Sequence, residues 1–91
     1  PVVGIYSMGG GNRGILQAFE DVQQRRPVIV GHDLDETNQA LLETGSIDAV
    51  VDHDLTTDLR TAMTFIMRLR QGHRLETPPT SRAIVVTPWN I

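Results

Sequence analysis

The apolar positions of this chain alternate between two rhythms. Val2 to Tyr6 is a short, largely β-branched run that predicts a strand, and it gives way to Ser7-Met8-Gly9-Gly10-Gly11-Asn12-Arg13-Gly14, too glycine-rich to extend it. From Ile15 the apolar residues Ile15, Ala18, Phe19 and Val22 recur at helical spacing. Pro27 disfavours helical geometry in the residue before it, so this helix is expected to finish near Arg25-Arg26. The unit then repeats. Val28 to Gly31 predicts a buried strand, and Leu34, Leu41 and Leu42 mark a helix that stops at Gly45, a suitable left-handed terminator. Ile47 to Val51 predicts a third strand, and Leu59, Ala62, Met63, Ile66 and Leu69 form the apolar stripe of a third helix. Asp58 in its first turn and Arg68 and Arg70 in its last complement the helix dipole, and Gly72 closes it. Leu75 to Arg82 contains Pro78 and Pro79 and predicts a loop, after which Ala83 to Thr87 forms a fourth strand that Pro88 ends.

Strands alternating with helices predict an α/β fold: a parallel sheet of alternating β-α units joined by right-handed crossovers, with helices on its faces. In such folds ligands bind at the loops leaving the carboxyl ends of the strands. Polar, compact loops fall there at Ser7 to Gly14, at Gly31-His32-Asp33 and at Asp52-His53-Asp54. A fold needs turns at these places but does not need each of them so rich in hydrogen-bonding side chains. Their convergence on one rim points to a ligand site.

Composition narrows the function classes. A chain of 91 residues can form one modest core. Its 40% hydrophobic and 21% charged content is ordinary for a globular protein. No apolar run approaches the roughly 18 residues that cross a bilayer, so no membrane association is expected, and the first residues carry no export signal. A formal charge of −3, with eight scattered arginines, weighs against unassisted binding to nucleic acid. With no cysteine there is neither a disulfide framework nor thiolate chemistry, which fits a reducing compartment without excluding an oxidising one. The chain opens on residues that already read as a strand, as a segment of a longer protein would.

Several chemistries compete at the rim. Gly9, Gly11 and Gly14 match G-x-G-x-x-G, and Asp33 lies about 20 residues further on, where a dinucleotide-binding fold places its ribose-binding acid. Against that reading, Ser7-Met8 separates the strand from the first glycine of the motif, Arg13 crowds the turn, and the chain is short for a cofactor domain. A loop for another ligand and a purely structural turn are the other readings. Asp33 and Glu36 have capping-box spacing, so the Asp33 carboxylate is a candidate for ligand contact, for capping the second helix, or for both. Asp52-His53-Asp54, with His32 and Asp35, resembles an oxygen-and-imidazole metal set, but the spacing fits no ligand pattern and neighbours in an extended segment face opposite ways. No metal is expected, and Asp54 is better read as a cap of the third helix. Ser7 lacks a nucleophile-elbow setting, so neither catalysis nor a cofactor is expected. Trp89 is read first as a cover for the end of the core, with sugar stacking as the alternative, and Met63 and Met67 as helix packing.

Three segments together carry a resemblance: Val3 to Ile15, Pro27-Val28-Ile29-Val30-Gly31-His32-Asp33-Leu34, and Ile47-Asp48-Ala49-Val50-Val51-Asp52-His53-Asp54. In order and spacing they resemble the carboxyl-terminal portion of type I periplasmic-binding-protein-like domains, above all the sugar-sensing domain of LacI-type transcriptional regulators. The resemblance covers nearly the whole chain. It implies one of two lobes that close on a small effector, usually a sugar, with residues 1–74 forming second-lobe β-α repeats and 75–91 a loop and crossover strand. It further implies a cytoplasmic homodimer that binds DNA only through an amino-terminal helix-turn-helix outside this segment. Carried over by position, Asp33 resembles the acid that holds sugar hydroxyls, and His53 stands where the family usually has glutamine. The glycine-rich stretch replaces the usual Asn-Asp pair, so Gly11, Asn12 and Arg13, with His32 beside Asp33, complete the expected contact set. A solute receptor of a sugar transport system and a nucleotide-dependent oxidoreductase are the alternatives.

Overall fold

The computed structural model describes residues 1–74 and 77–91, so the first two residues of the expected Leu75–Arg82 loop lie outside the described residues. The elements are β1 (Gly4–Tyr6), α1 (Asn12–Asp21), β2 (Val28–His32), α2 (Glu36–Glu43), β3 (Ala49–His53), α3 (Leu55–Arg70) and β4 (Ala83–Val86). The strands form a four-stranded sheet in the order β1-β2-β3-β4, in which β1 and β2, and β2 and β3, run parallel. The fold is therefore α/β with a sheet built from β-α units, as the alternating rhythms predicted. Among the described residues no helix is long and apolar enough to cross a membrane. The chain divides into two compact units, Pro1–Asp52 with Ile84–Ile91, and His53–Ala83.

In the first unit the parallel register pairs Ile5 with Ile29 and Gly31 with Val50. Because successive strand residues face opposite ways, these four share one face of the sheet. Ile15 and Leu16 of α1 and Leu41 and Leu42 of α2 pack onto that face, with Ile47 and Val86 completing a core in which Ile29, Leu42 and Val50 are wholly buried. Each such side chain stabilises the fold by roughly 1.5–3 kcal/mol on transfer from water. The opposite face is more open, and Tyr6 and Val28 are exposed there.

The bounds of α1 and β3 differ from expectation. α1 begins at Asn12, so Asn12, Arg13 and Gly14 form its first turn and do not belong to the loop. The reason is Gly11, whose φ of 90° reverses the chain at once and sets up helix from the next residue. The same helix ends at Asp21, short of the Arg25-Arg26 expected from Pro27, because Gln23 takes a left-handed φ of 53°. β3 runs two residues later than the pattern suggested. Ile47 is buried as a core residue of the preceding turn, and the ladder starts only where Ala49 pairs with Val30. Asp48 joins turn to strand: its N–H donates to Ile29 O at 3.0 Å, its carboxylate accepts from Ile29 N at 2.8 Å, and Arg26 grips it at 2.6 Å.

In the second unit α3 begins at the expected cap, Asp54, whose carboxylate accepts from Thr57 N at 3.1 Å and from the Thr57 hydroxyl at 2.7 Å. Those bonds, the hydroxyl's first, hold the Asp54 carboxyl below its ordinary range. The apolar stripe does not form a core. Leu59, Met63, Ile66, Met67 and Leu69 are all exposed, and the helix face opposed to the Thr77–Ser81 segment is instead the one bearing Asp58, Thr61 and Phe65. Trp89, in the first unit, is 90% exposed and covers no core.

Candidate ligand site

The carboxyl ends of β1 and β2 bring the glycine loop, the start of α1 and the His32-Asp33 turn to one edge of the first unit, since the two strands are parallel neighbours. β1 is prolonged into the loop by Ser7 N, which donates to Val30 O at 2.8 Å. Gly11 then serves as the N-cap of α1 without any side-chain cap, and no acidic residue follows in the first turn. The amino-terminal dipole of α1 is thus left to whatever approaches it, with Arg13 exposed beside it. Gly9, Gly10, Gly11 and Gly14 all have open space where a side chain would begin. In a dinucleotide fold the last glycine of the motif exists to let helix and strand approach closely, a demand that Gly14 does not meet here.

Asp33 is an exposed acid of this edge. Its backbone occupies the left-handed region at φ 68°, its N–H donates to Val51 O at 2.9 Å, and its side chain is 68% exposed. The carboxylate lies 3.7 Å from His32 Nε2. Among the described residues no hydrogen-bond donor holds it. The neighbouring aspartates of this edge are engaged: Asp35 accepts from Asn38 N at 2.7 Å and Asp52 accepts from Leu34 N at 2.9 Å. The capping role considered for Asp33 therefore belongs to Asp35. A residue at positive φ two positions upstream is too far from the free N–H groups of α2, whereas Asp35 is extended and adjacent to them.

His32 ends β2 with its Nδ1 2.7 Å from the Tyr6 hydroxyl, the two rings tilted at 49° and 6.1 Å apart. Tyr6 carried no signal in the sequence beyond its place at the end of β1. Asn12 is only 2% exposed, and its Nδ2 donates to Asn38 Oδ1 at 2.6 Å, beneath the rim and not upon it. Asn38, 3% exposed, was not anticipated at all, because a buried asparagine near a helix start looks in sequence like any surface one.

His53 is the last residue of β3 and belongs to the second unit. There its Nδ1 lies 3.1 Å from Ser81 Oγ, and Ser81 donates its single hydroxyl proton to Asp58 Oδ2 at 2.6 Å. With that proton committed, His53 Nδ1 must be the donor to Ser81, which fixes the tautomer by the network. A shallow cavity of about 200 Å³ adjoins Asp58 and Ser81. Among the described residues no group of three or more His, Asp or Glu side chains is arranged to hold a metal ion. A larger groove in the first unit, about 540 Å³, runs between α1 and α2 past Leu16, Phe19 and Leu41 and does not include Asp33 or His32. No protein-family model matches the chain, and no curated protein matches it either.

Proposed function

We propose that the chain is a ligand-sensing α/β lobe of the LacI-type regulator kind, which reads a small polyhydroxylated effector, a sugar, at the carboxyl edge of its sheet. The observation that carries this reading is the Asp33 carboxylate, two-thirds exposed and accepting no hydrogen bond from the described residues, at an edge where Asp35 and Asp52 are both spent on backbone N–H groups. A carboxylate whose two oxygens accept no hydrogen bond is suited to accepting from a pair of vicinal hydroxyls, bonds worth about 1.5–3 kcal/mol each when one partner is charged. His32 stands beside that position, Gly11 leaves the helix start open to the ligand, and Arg13, which lines the groove between α1 and α2, is not counted among the contacts. His53, which the resemblance also assigns to the contacts, belongs to the second unit and is not counted in the site proposed for the first. The reading is not enzymatic, needs no cofactor, and includes a homodimer in the cytoplasm with DNA bound through another domain.

Calorimetric titration of the full-length protein carrying this chain against a panel of hexoses and pentoses tests it. One sugar of the panel is expected to saturate, and Asp33→Asn is expected to weaken that sugar by roughly 10–100-fold, the scale of one lost charged hydrogen-bond pair. Saturable binding of NAD that disappears in Gly11→Ala would instead establish the dinucleotide alternative, which the uncapped start of α1 favours.

A further inference from the structure

We propose that Asn38 is a positioning residue of this site: its side-chain amide holds Asp33 in the left-handed turn that presents the carboxylate, and Asn12 serves the site through Asn38 without touching ligand. The proposal rests on Asp33 being the ligand acid, and it adds the device that aims it.

A non-glycine residue at positive φ persists only where its surroundings over-determine it. At Asp33 they do. Asn38 Nδ2 donates to His32 O at 3.2 Å and to Asp33 O at 2.8 Å, the carbonyls of the two peptide planes that flank the Asp33 Cα. With Asp33 N on Val51 O and Leu34 N on Asp52, both planes are held from two directions. The clamp is itself anchored. Asn38 N is tied to the Asp35 cap at 2.7 Å, and Asn38 Oδ1 accepts from Asn12 Nδ2 at 2.6 Å. Gly31 makes room for the pair, since a Cβ there would stand 3.2 Å from Asn12 Nδ2 and 3.3 Å from Asn38 Nδ2. Both amides are buried while the carboxylate they govern is open, so their effect on a ligand passes through Asp33. An asparagine with only a packing role would not spend both donor hydrogens on the two carbonyls that define one residue's φ and ψ. The Asn12 link also ties the first turn of α1 to the Asp33 turn.

Nuclear magnetic resonance of the chain reads the claim directly, through the HN–Hα coupling and residual dipolar couplings at residue 33. In Asn38→Ala the angle is expected to leave the left-handed region while the Gly31–Val50 ladder amides stay protected; an unchanged positive φ in the folded variant overturns the proposal. Should Asn38→Ala fold poorly, denaturant midpoints supply the second measurement. Glycine adopts the left-handed turn freely, so the midpoint loss from Asn38→Ala is expected to shrink by at least about half in an Asp33→Gly background, on the scale of relieving one left-handed residue. Equal loss in both backgrounds refutes the clamp. On the sugar that the full-length protein binds, Asn38→Ala is expected to weaken affinity about tenfold, the scale of releasing one left-handed residue. If the wild type binds no sugar, the ligand reading falls, while the residue-33 angle still decides whether Asn38 sets the turn.

Discussion

Asp48 shows what a single side chain does where a turn enters a strand. The Arg26 hydrogen bond, aided by Ile29 N and opposed by burial, holds its carboxyl below the ordinary range. A depressed value means the charged form is favoured by folding. The stabilisation is therefore complete above the unfolded value near pH 4 and is lost as pH falls through the folded one. Because the Asp48 side chain is 41% exposed, screening limits the ion pair to about 1 kcal/mol or less. Asp48→Asn retains an acceptor for Ile29 N and removes only the charge. Its deficit in urea midpoint at pH 6 is expected to shrink at pH 3; a deficit of equal size at both would show that charge is not the cause. At this scale the sequence revealed the exposed rim, Asp33 and His32, through its position after strands. It concealed Asn12 and Asn38, because the one-letter pattern of a buried polar pair is indistinguishable from that of two solvated amides.

Helices and strands were legible in kind and order, and less so in their ends. In sequence Gly11 is one of several loop glycines, yet its left-handed backbone decides that the helix starts at Asn12. Pro27 signals a stop for α1, but Gln23 ends the helix first. The caps offer the clearest test of element boundaries. Asp35 precedes α2 and bonds Asn38 N, so Asp35→Ala is expected to cost about 1 kcal/mol of stability. Asp33→Gly relieves a positive φ and bonds no helix N–H, and is expected to be neutral or mildly stabilising, by up to about 1 kcal/mol. Thermal unfolding of the two variants side by side checks the assignment, and a larger loss from Asp33→Gly would return the cap to Asp33.

Charge and apolar surface are distributed unevenly between the two units. The first holds three arginines against eight acidic residues, the second five against three. Large apolar side chains stand in solvent in each: Val28, Ile84 and Val85 in the first, Met63 at 65% exposure together with Leu59 and Ile66 in the second. The α3 residues recur at helical spacing and so share one apolar face, which marks an interaction surface, and the chain is expected to self-associate with rising concentration in sedimentation experiments. Ile66→Glu is expected to shift that equilibrium toward monomer at unchanged melting temperature; a chain that stays monomeric up to about millimolar concentration, where an association worth roughly 4 kcal/mol is half complete, would remove the dimer from the reading. The helical stripe was legible in the sequence, but periodicity reports only that a face is apolar, not what it packs against. Strand order bears on how a sugar would be held. Crevices in open α/β sheets form where the order of strands reverses and adjacent loops part toward opposite faces. Here the order advances steadily from β1 to β4. A ligand resting on such a ledge keeps water on its far side, so each hydroxyl bonded to Asp33 competes with bulk solvent, and grip tightens only when a second wall descends to dry it.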